Sequence, residues 1–365
     1  MRPDHRFYST VDDFRSPYAR DRDRIIHSGS FRMLEYKTQV FLNQEGDFFR
    51  TRLTHSIEVS QIARSIASQL GLKESLAESI ALAHDLGHTP FGHVGGDTLD
   101  HCLKEAGYQN GFEHNYQSFR VVTLLEKRYR QFDGLNLTFA TIEGILKHSY
   151  PYGKPFYSSW IDEQFDLSKH PSIEAMVVDR ADEIAYMSHD IDDGVNSGLI
   201  GFDELKKSEL IQTILQKVYD EGITEADDEM FRYRFSSHLI NYLVYSLLAY
   251  SADRVDNARV LAGVIPADEA LPIGFEKGLE TEIKKLKKIL FGELYQHKKI
   301  MRKMYAGKQA VKGLFSALTE EPKMLPPYYR KQLSVRARHR VIADYIASMS
   351  DRFAMKFYNE IFGHG

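Results

Sequence analysis

Apolar residues recur at helical spacing in two consecutive segments, and this pattern limits the possible folds more than any other feature of the chain. The first segment covers residues 54–70 and is followed by Gly71, and the second covers about residues 75–86 and is followed by Gly87. Apolar residues three and four positions apart form one face of an α-helix, and a glycine after the last of them commonly ends it. The pattern predicts two amphipathic helices.

Helical spacing continues through most of the chain, whereas alternating strand patterns are sparse and no internal repeat occurs. The sequence therefore predicts an all-α fold, with the helices packed around a shared core. We expect a single domain over residues 1–365, with a core over about 25–200 and a helical C-terminal part over about 201–365. Further helices are expected at 96–104, 115–130, 139–147, 172–195, 203–220, 230–250, 276–305 and 335–361.

Two segments lack a helical period. Residues 43–46, NQEG, are typical of a turn, and residues 150–171 contain three prolines and the only tryptophan. Loops of this length are usually functional or disordered, and the aromatic content of 150–171 favours an ordered loop or lid. Its aromatic residues either stack on a base or simply pack the loop down; they are Tyr150, Tyr152, Phe156, Tyr157 and Trp160.

The composition excludes several classes of protein. With 365 residues, 43% of them hydrophobic, the chain can bury a large core, so an intrinsically disordered protein is excluded. The single cysteine, Cys102, cannot form an intrachain disulfide and fits a reducing compartment. No run of about 18 apolar residues occurs and the N-terminus is charged, so we expect a cytoplasmic protein without a membrane segment.

The net charge of −4 conceals an uneven distribution. Between Lys284 and Arg340 there are 16 lysines and arginines and three glutamates, a surplus of 13 positive charges. A solvated helix face explains such a surplus, and so does a surface for phosphates, nucleic acid or an acidic neighbouring subunit. Both explanations stay open on the sequence alone.

Histidines are concentrated in one part of the chain. Six of the 15 lie between residues 55 and 114, at His55, His84, His88, His93, His101 and His114. Imidazole and carboxylate are ligands for divalent metals and also the usual groups for proton transfer near neutral pH. The adjacent pair His84 and Asp85 can bind one ion only if another helix completes the site, and His55 in the preceding helix is the natural second source.

A further ligand is expected from the helix predicted at 172–195. Its acidic residues are Asp179, Asp182, Glu183, Asp190, Asp192 and Asp193. Asp182, Tyr186 and Asp190 are spaced at four residues and share one face, with Asp179 a turn before them. A solvated acidic stripe would have the same spacing. Lys147 and His148 form either a surface pair or a phosphate contact.

Four motifs together resemble one known family. They are RTRLTHS around His55, HDLGHTPFGH from His84, FEHNYQSFR around His114 and VDRADEIAYMSHD around Asp182. Their order and spacing are similar to those of the HD-domain deoxynucleoside triphosphate triphosphohydrolases, the dGTPase family. A fifth segment, HRVIADYIASMSDRFAMKFYNEIF, resembles that family's C-terminal helix, so the likeness spans most of the chain.

This resemblance implies an HD-domain helical fold, a homo-oligomer, and hydrolysis of a dNTP to deoxynucleoside and tripolyphosphate. By motif position it implies one divalent metal ion per site, held by His55, His84, Asp85 and Asp182. Such a ligand set suits Mn, Fe, Co, Ni or Zn better than Mg. Other implied roles are proton donation by His93, phosphate and sugar contacts by His88, His114 and Arg52, and deoxyribose contacts by Gln39, Tyr186 and Asp190.

The chain departs from the family pattern at two places. Many relatives have a glutamate three residues after the catalytic histidine, whereas this chain has Gly96 there, with Asp97 as the candidate substitute. Relatives often have basic residues where this chain has Met33 and Glu35, so contacts made there in relatives are expected to be altered.

Two other functions remain open on the sequence. One is an HD phosphohydrolase acting on a nucleoside monophosphate or a cyclic nucleotide. The other is a weakly active regulator that binds nucleotides or single-stranded nucleic acid through the basic C-terminal region, where a nucleotide effector of an active enzyme is also expected to bind.

Overall fold

The computed structural model describes residues 2–9, 11, 14–39, 49–149, 159–258 and 271–363, and it confirms the all-α prediction. Within these ranges there is no β-strand, only the isolated bridges Arg6–Thr138, Thr38–Thr51 and Lys127–Gly134. The turn predicted at 43–46 and the aromatic residues Tyr150, Tyr152, Phe156 and Tyr157 lie outside the described ranges.

Within the described ranges, the first half of the chain contains nine α-helices. They are α1 (Pro17–Ile26), α2 (Gly29–Met33), α3 (Arg52–Gln69), α4 (Glu74–Ala83), α5 (Gly92–Glu105), α6 (His114–Arg120), α7 (Phe139–Leu146), α8 (Ser159–Phe165) and α9 (Ile173–Asn196). The second half continues with α10 (Phe202–Leu205), α11 (Glu209–Asp220), α12 (Glu229–Ala258), α13 (Lys277–Leu290), α14 (Lys298–Glu320), α15 (Pro327–Gln332), α16 (Arg338–Ala347) and α17 (Asp351–Phe362).

Several segments that periodicity predicts as one helix are divided. Residues 203–220 form α10 and α11, residues 276–305 form α13, a π-helical turn and the start of α14, and residues 335–361 form α16 and α17. Side-chain caps explain two of these breaks: the Ser350 hydroxyl accepts from the Phe353 amide, and His297 Nδ1 accepts from the Lys299 amide. Helix α8 lies inside the segment predicted as a loop, because Ile161 and Phe165 are buried there.

Helices α3, α4 and α9 pack together at the centre of the molecule, with α1 and α12 beside them. Their apolar faces meet in one buried cluster, to which Val59, Ile80 and Ile184 contribute. Burial of such side chains stabilises the fold by roughly 1.5–3 kcal/mol each. Because these three helices are fixed by a shared core, side chains at their adjoining ends are held at defined distances.

A second buried cluster joins α5 to helices of the C-terminal part. Phe91, Leu99 and Leu103 lie against Leu314 of α14 and Ile342 of α16. The C-terminal part is therefore packed on the same helix that begins beside His93. No helix in the described ranges combines the length and the apolar composition needed to cross a bilayer.

Candidate active site

Three side chains from three helices converge at one point. They are His55 in the first turn of α3, His84 directly after α4, and Asp182 in α9, and one ligand atom from each lies within 4.8 Å of the others. His55 Nε2 is 2.9 Å from Asp182 Oδ1, and His84 Nε2 is 3.8 Å from the same oxygen. The central packing of α3, α4 and α9 brings them together, as the spacing of the sequence predicts for a site shared between helices.

His84 lies directly after the last residue of α4 and not within its last turn. The periodicity predicts His84 and Asp85 in the last turn of the helix, but α4 ends at Ala83, so His84 is its C-cap residue. The His84 backbone keeps helical dihedral angles, and its amide still bonds to Ile80 O at 2.9 Å. Its imidazole is therefore aimed by the helix although it lies at the end.

The His84 ring is prepared to give a lone pair to a cation. Its Nδ1 is 2.6 Å from the Ala81 carbonyl oxygen, a contact that requires the proton on Nδ1. Its Nε2 is buried and has no hydrogen-bond partner among the described residues. Burial also lowers the pKa of this imidazole, against the opposing charges of Asp85 and Asp182, which favours the neutral ligand form. A buried, unpaired nitrogen between carboxylates fits a divalent metal ion.

Asp85 lies beside this group but has other partners as well. Its Oδ1 is 3.4 Å from His84 Nε2 and 3.3 Å from His88 Nε2, and its Oδ2 accepts from Arg52 Nη1 at 2.6 Å. Burial alone would raise the pKa of this carboxyl, but His84, His88 and Arg52 hold it well below the usual range. Asp85 is thus an ionised carboxylate that joins the candidate metal ligands to the arginine and the histidines.

Two further pairs support the converging ligands, and neither pairing was predicted from the sequence, although His148 and Asp179 were each named as candidates. His55 Nδ1 is 3.3 Å from His189 Nδ1, and the other nitrogen of His189 contacts the Glu58 carboxylate. The helical phase of α9 would have revealed His189, because it lies seven residues after Asp182 and so on the same face.

The second pair is His148 with Asp179. His148 Nδ1 is 2.5 Å from Asp179 Oδ1, and His148 Nε2 is 3.5 Å from Asp182 Oδ2. Burial alone would lower the pKa of His148, but the two aspartates raise it well above its usual range. The surface interpretation of Lys147 and His148 is therefore wrong: both are buried, and the Lys147 amine bonds to Glu143 and to two backbone carbonyls.

Three histidines form a second group next to the first. The ring centroid of His88 is 5.2 Å from that of His93 and 4.4 Å from that of His114. The centroids of His93 and His114 are 6.1 Å apart. A Cβ at Gly87 would lie 2.1 Å from the Ser118 backbone nitrogen, so only glycine lets the turn approach α6, which begins at His114. The turn and α6 together bring the three rings into one group.

His93 differs from the other two rings in its setting. It lies in the first turn of α5 rather than on the preceding loop, and it is exposed, whereas His88 is buried. Desolvation by the protein atoms packed around the ring and the charge of Arg52 lower the pKa of His93, against smaller opposing effects of Asp85 and Asp97. Burial lowers the pKa of His114 to about 4. Asp97 acts on His93 through charge; no hydrogen bond joins these two described residues.

His93 also lines a cavity of about 670 Å³. Its wall includes Gln39 and Tyr186, and α13 and α14 add Leu290, Met301 and other apolar groups. The volume falls within the range of small-molecule sites, roughly 300–1,000 Å³. The predicted residues Gln39, Tyr186 and His93 therefore share one cavity.

Tyr295 was not anticipated from the sequence. Its hydroxyl contacts both the Tyr186 hydroxyl and the Asp190 carboxylate, and it belongs to the cavity wall. Burial raises the pKa of Asp190 to about 7, although the hydrogen bond from Tyr295 opposes the shift. The three side chains form a polar group beside the apolar residues that α13 and α14 contribute to the wall.

Comparison with known proteins agrees with this geometry. The sequence model of the HD domain matches residues 52–187, and that of the phosphohydrolase-associated domain matches residues 273–360. A deoxyguanosinetriphosphate triphosphohydrolase-like protein of Wolinella succinogenes is 58% identical over 363 residues, which cover 99% of each chain. Proteins of the same description from Geobacter metallireducens and Bordetella pertussis are 42% and 45% identical, covering 98% and 96% of this chain and 91% of each relative.

Proposed function

Because this chain belongs to the HD-domain family of deoxyguanosinetriphosphate triphosphohydrolase-like proteins, we propose that it hydrolyses deoxynucleoside triphosphates to deoxynucleoside and tripolyphosphate with a divalent metal ion. The observation that carries the proposal is the convergence of His55, His84 and Asp182 within 4.8 Å beside the three-histidine group. Metal ligands and proton-transfer groups side by side are what hydrolysis of a phosphoester requires.

The metal would be held by His55, His84 and Asp182, with Asp85 as the fourth proposed ligand. When bound, such an ion polarises a phosphate oxygen and lowers the pKa of a coordinated water. Two imidazoles and two carboxylates accept Mn, Fe, Co, Ni or Zn more readily than Mg. His189 with Glu58 would orient His55, and the Ala81 carbonyl would orient His84.

Arg52 is the proposed phosphate contact. It is buried, one of its nitrogens bonds to Asp85, and its Nε has no hydrogen-bond partner within the described part of the chain. A Cβ placed on Gly92 would lie 3.6 Å from Arg52 Nη2, so the guanidinium reaches the turn that precedes His93. An arginine with a spare N–H fits a triphosphate oxygen, because charge-assisted hydrogen bonds offset the cost of removing phosphate charge from water.

His93 is the proposed proton donor. In the reaction a water oxygen bonds to the α-phosphorus, the bond from that phosphorus to the 5′ oxygen breaks, and the 5′ oxygen takes a proton from a His93 ring nitrogen. The exposed position of His93 in the cavity wall supports contact with a leaving group. The pKa of His93 is lowered without substrate, and the negative charge of a triphosphate would favour its protonated form again.

The cavity is the proposed site for the deoxynucleoside. Asp190, Tyr186 and Tyr295 can exchange hydrogen bonds with a sugar hydroxyl, and Gln39 lies in the same wall. The apolar part of the wall, contributed by α13 and α14, suits a base and the apolar face of the sugar. His88 and His114 would complete the phosphate and sugar contacts.

Turnover of all four dNTPs, singly and in pairs, with Mn²⁺ or Mg²⁺, tests the proposal, with the released polyphosphate identified. Release of tripolyphosphate is expected, and turnover only in mixtures would indicate activation by a second nucleotide. Inorganic phosphate from a nucleoside monophosphate would support the other HD phosphohydrolase function. Absence of turnover together with salt-sensitive binding to single strands would support the regulator.

Removal of one ligand tests the metal site directly. His84→Ala is expected to abolish metal binding, because it deletes the buried Nε2 that no other group satisfies. The measurement is metal per chain after dialysis, by elemental analysis. His101→Ala, at a histidine whose side chain is 64% exposed, is the matched control and is expected to keep its metal. An unchanged metal content in His84→Ala would refute the assignment.

A further inference from the structure

The turn that carries His88 and His93 contains a backbone conformation that a non-glycine residue rarely adopts. Phe91 has φ 63° and Gly92 has φ 60°, so two successive residues are left-handed. For glycine this is common, but for a bulky residue such as phenylalanine it is unfavourable and persists only when the surrounding structure enforces it. The groups that enforce it are therefore of interest for the placement of His93.

One carboxylate, Asp351, binds the backbone on both sides of the site. Its Oδ1 accepts from the Phe91 amide at 2.9 Å, and its Oδ2 accepts from the Thr38 amide at 2.9 Å and from the Thr38 hydroxyl. Phe91 is two residues before His93, and Thr38 is the residue before Gln39. Asp351 thus fixes the backbone next to the proposed proton donor and next to a proposed deoxyribose contact.

Two further contacts reach the same turn from the C-terminal part. A Cβ at Gly307 of α14 would lie 2.5 Å from Phe91 Cγ, so the Phe91 ring rests directly on a helix that has no side chain at that point. The Lys37 amine bonds to the His88 carbonyl at 2.5 Å and to the Ala347 carbonyl at 2.9 Å. These contacts hold the turn at its beginning and at its left-handed residue.

Capping of α17 does not account for the position of Asp351. Ser350 is the N-cap residue, and its hydroxyl already accepts from the Phe353 amide. The Asp351 carboxylate instead leaves its own helix and meets three donors on two distant segments. A carboxylate suits this position because it offers only acceptors, whereas an asparagine amide would turn its NH₂ group toward one of the donors.

We propose that Asp351 is a positioning residue for His93, and that the part of the chain matched to the phosphohydrolase-associated domain thereby keeps the candidate active-site turn in its working conformation. The contacts themselves are independent of the reaction, but the effect on turnover rests on the proposed function. Asp351 touches no proposed substrate or metal position, so it acts through the backbone of Phe91 and Thr38.

Asp351→Asn and Asp21→Asn form a matched pair that tests this role. Asp21 is also a buried carboxylate, and it accepts from a threonine amide at 2.9 Å and the hydroxyl of the same threonine, Thr138, at 2.6 Å. Asp21 also accepts from the Thr141 hydroxyl and pairs with Arg6, and all these contacts lie near the N-terminus and the start of α7, away from the turn. Asp21→Asn therefore loses more contacts than Asp351→Asn, so a larger change at the turn in Asp351→Asn reports location rather than general destabilisation.

Two readouts are compared at equal loss of thermal stability: backbone amide exchange by mass spectrometry, and kcat and KM on the dNTP that the wild type prefers. For Asp351→Asn we expect exchange in peptides covering residues 38–39 and 88–93 to rise about tenfold or more, kcat to fall by a similar factor, and metal per chain to stay unchanged. For Asp21→Asn we expect neither local change. Equal behaviour of the two variants would overturn the proposal.

A second pair keeps the test valid if Asp351→Asn does not fold. Gly307→Ala would press on the Phe91 ring, whereas Gly313→Ala in the same helix would meet the ring of Tyr358, with 2.6 Å between the new Cβ and Tyr358 Cε2. Faster exchange at residues 88–93 in Gly307→Ala alone is expected, and the same exchange in both would contradict the proposal. If the wild type turns over no dNTP, the proposed function fails while the exchange comparison still decides the role of Asp351.

Discussion

His55 and His84 can each present one ring nitrogen to a metal only because another group fixes the opposite nitrogen. For His84 that group is a backbone carbonyl, which no substitution removes. For His55 it is the His189 ring, which is in turn bonded to Glu58. Removal of partners of this kind commonly lowers metal affinity by 10- to 100-fold. The outer partners of His55 are therefore testable separately from the ligands.

Glu58→Gln is expected to weaken metal binding about tenfold, because the amide keeps an acceptor oxygen but loses the charge that favours the His189 proton. His189→Ala removes the contact to His55 and is expected to have the larger effect. Isothermal titration of metal-free protein with Mn²⁺ measures both. Glu105→Gln, at a side chain that is 57% exposed, provides the control, and a loss of affinity as large in this control would remove the special role of Glu58.

Asp190 is expected to make the stability of the protein decrease as the pH rises. Its pKa is about 7 in the folded protein against an ordinary value of 3.8, so between these values the folded chain binds more protons than the unfolded chain. Stability from this group is present below about pH 4 and is lost as the pH rises through 7. Compared with Asp190→Asn, the free energy of unfolding of the wild type should fall as the pH rises from about 4.5 to about 8. The fall is about 1.4 kcal/mol for each unit by which folding raises the pKa of Asp190. Parallel stability curves, measured by denaturant titration, would contradict this.

Among the elements, the turn between α4 and α5 depends most on a single small residue. Gly87→Ala would place a Cβ 2.1 Å from the Ser118 nitrogen and 2.4 Å from the His114 carbonyl oxygen, both backbone atoms. Since backbone cannot rotate away, we expect a loss of about 3 kcal/mol or more together with separation of His88 from His114. Chemical denaturation measures the loss.

Gly278→Ala is the control for that substitution. Gly278 lies in α13 with no atom within 4 Å of the new Cβ, so alanine is expected to be neutral or to stabilise by about 0.5–1 kcal/mol. Similar losses of unfolding free energy in the two variants would show that the close approach of backbone atoms to Gly87 does not cause the loss.

Helix positions were predictable where the apolar period is long and uninterrupted. The periodicity places α3, α4 and α9 within a few residues of their observed ends. The breaks at 297 and 350 depend on single capping side chains, and α8 depends on burial of Ile161 and Phe165, so a period of 3.6 residues contains no information about them. The long helices therefore follow from the local apolar pattern, whereas the helix breaks and α8 follow from capping side chains and tertiary burial.

The candidate site divides in the same way. Helix spacing indicated His55 and His84, and the resemblance to the family selected Asp182 among the acidic residues of the later helix; the structure brings the three together. His148 and Tyr295 come from other parts of the chain, and their positions follow only from packing. Glu58 lies in α3 with His55, but its contact with His189 of α9 also follows only from packing. The supporting partners are therefore harder to find from a sequence than the groups they support.

For the whole molecule, we propose that residues 1–365 form one cooperative unit. The cluster of Phe91 and Leu99 with Leu314 and Ile342 crosses from the core to the C-terminal part, and separation would expose it to water. We expect a single calorimetric transition in which the calorimetric and van't Hoff enthalpies agree. Two resolved transitions would show instead that the two parts unfold separately.

Part of the basic surplus lies at the cavity. Lys287 and Lys308 line it, and the Lys287 amine also pairs with Glu183 at 2.6 Å. These two lysines fit the wall of a site for an anionic ligand, which accounts for some of the surplus without a second binding surface. Assembly into a homo-oligomer and binding of an effector or single strand to the remaining basic residues stay predictions.

The Lys37 amine, which donates to the His88 and Ala347 carbonyl oxygens, joins segments of the chain that are synthesised at different times. Burial and the charge of Arg52 lower the pKa of this amine to about 8, and one of its two acceptors, the Ala347 carbonyl, is made 310 residues after Lys37. All four proposed metal ligands have been made by residue 182, yet the contacts from Ala347 and Asp351 arrive only after some 160 further residues, about 10–30 s at ordinary rates of translation. A nascent chain would thus carry its proposed metal ligands well before the turn that holds His88 and His93 is secured.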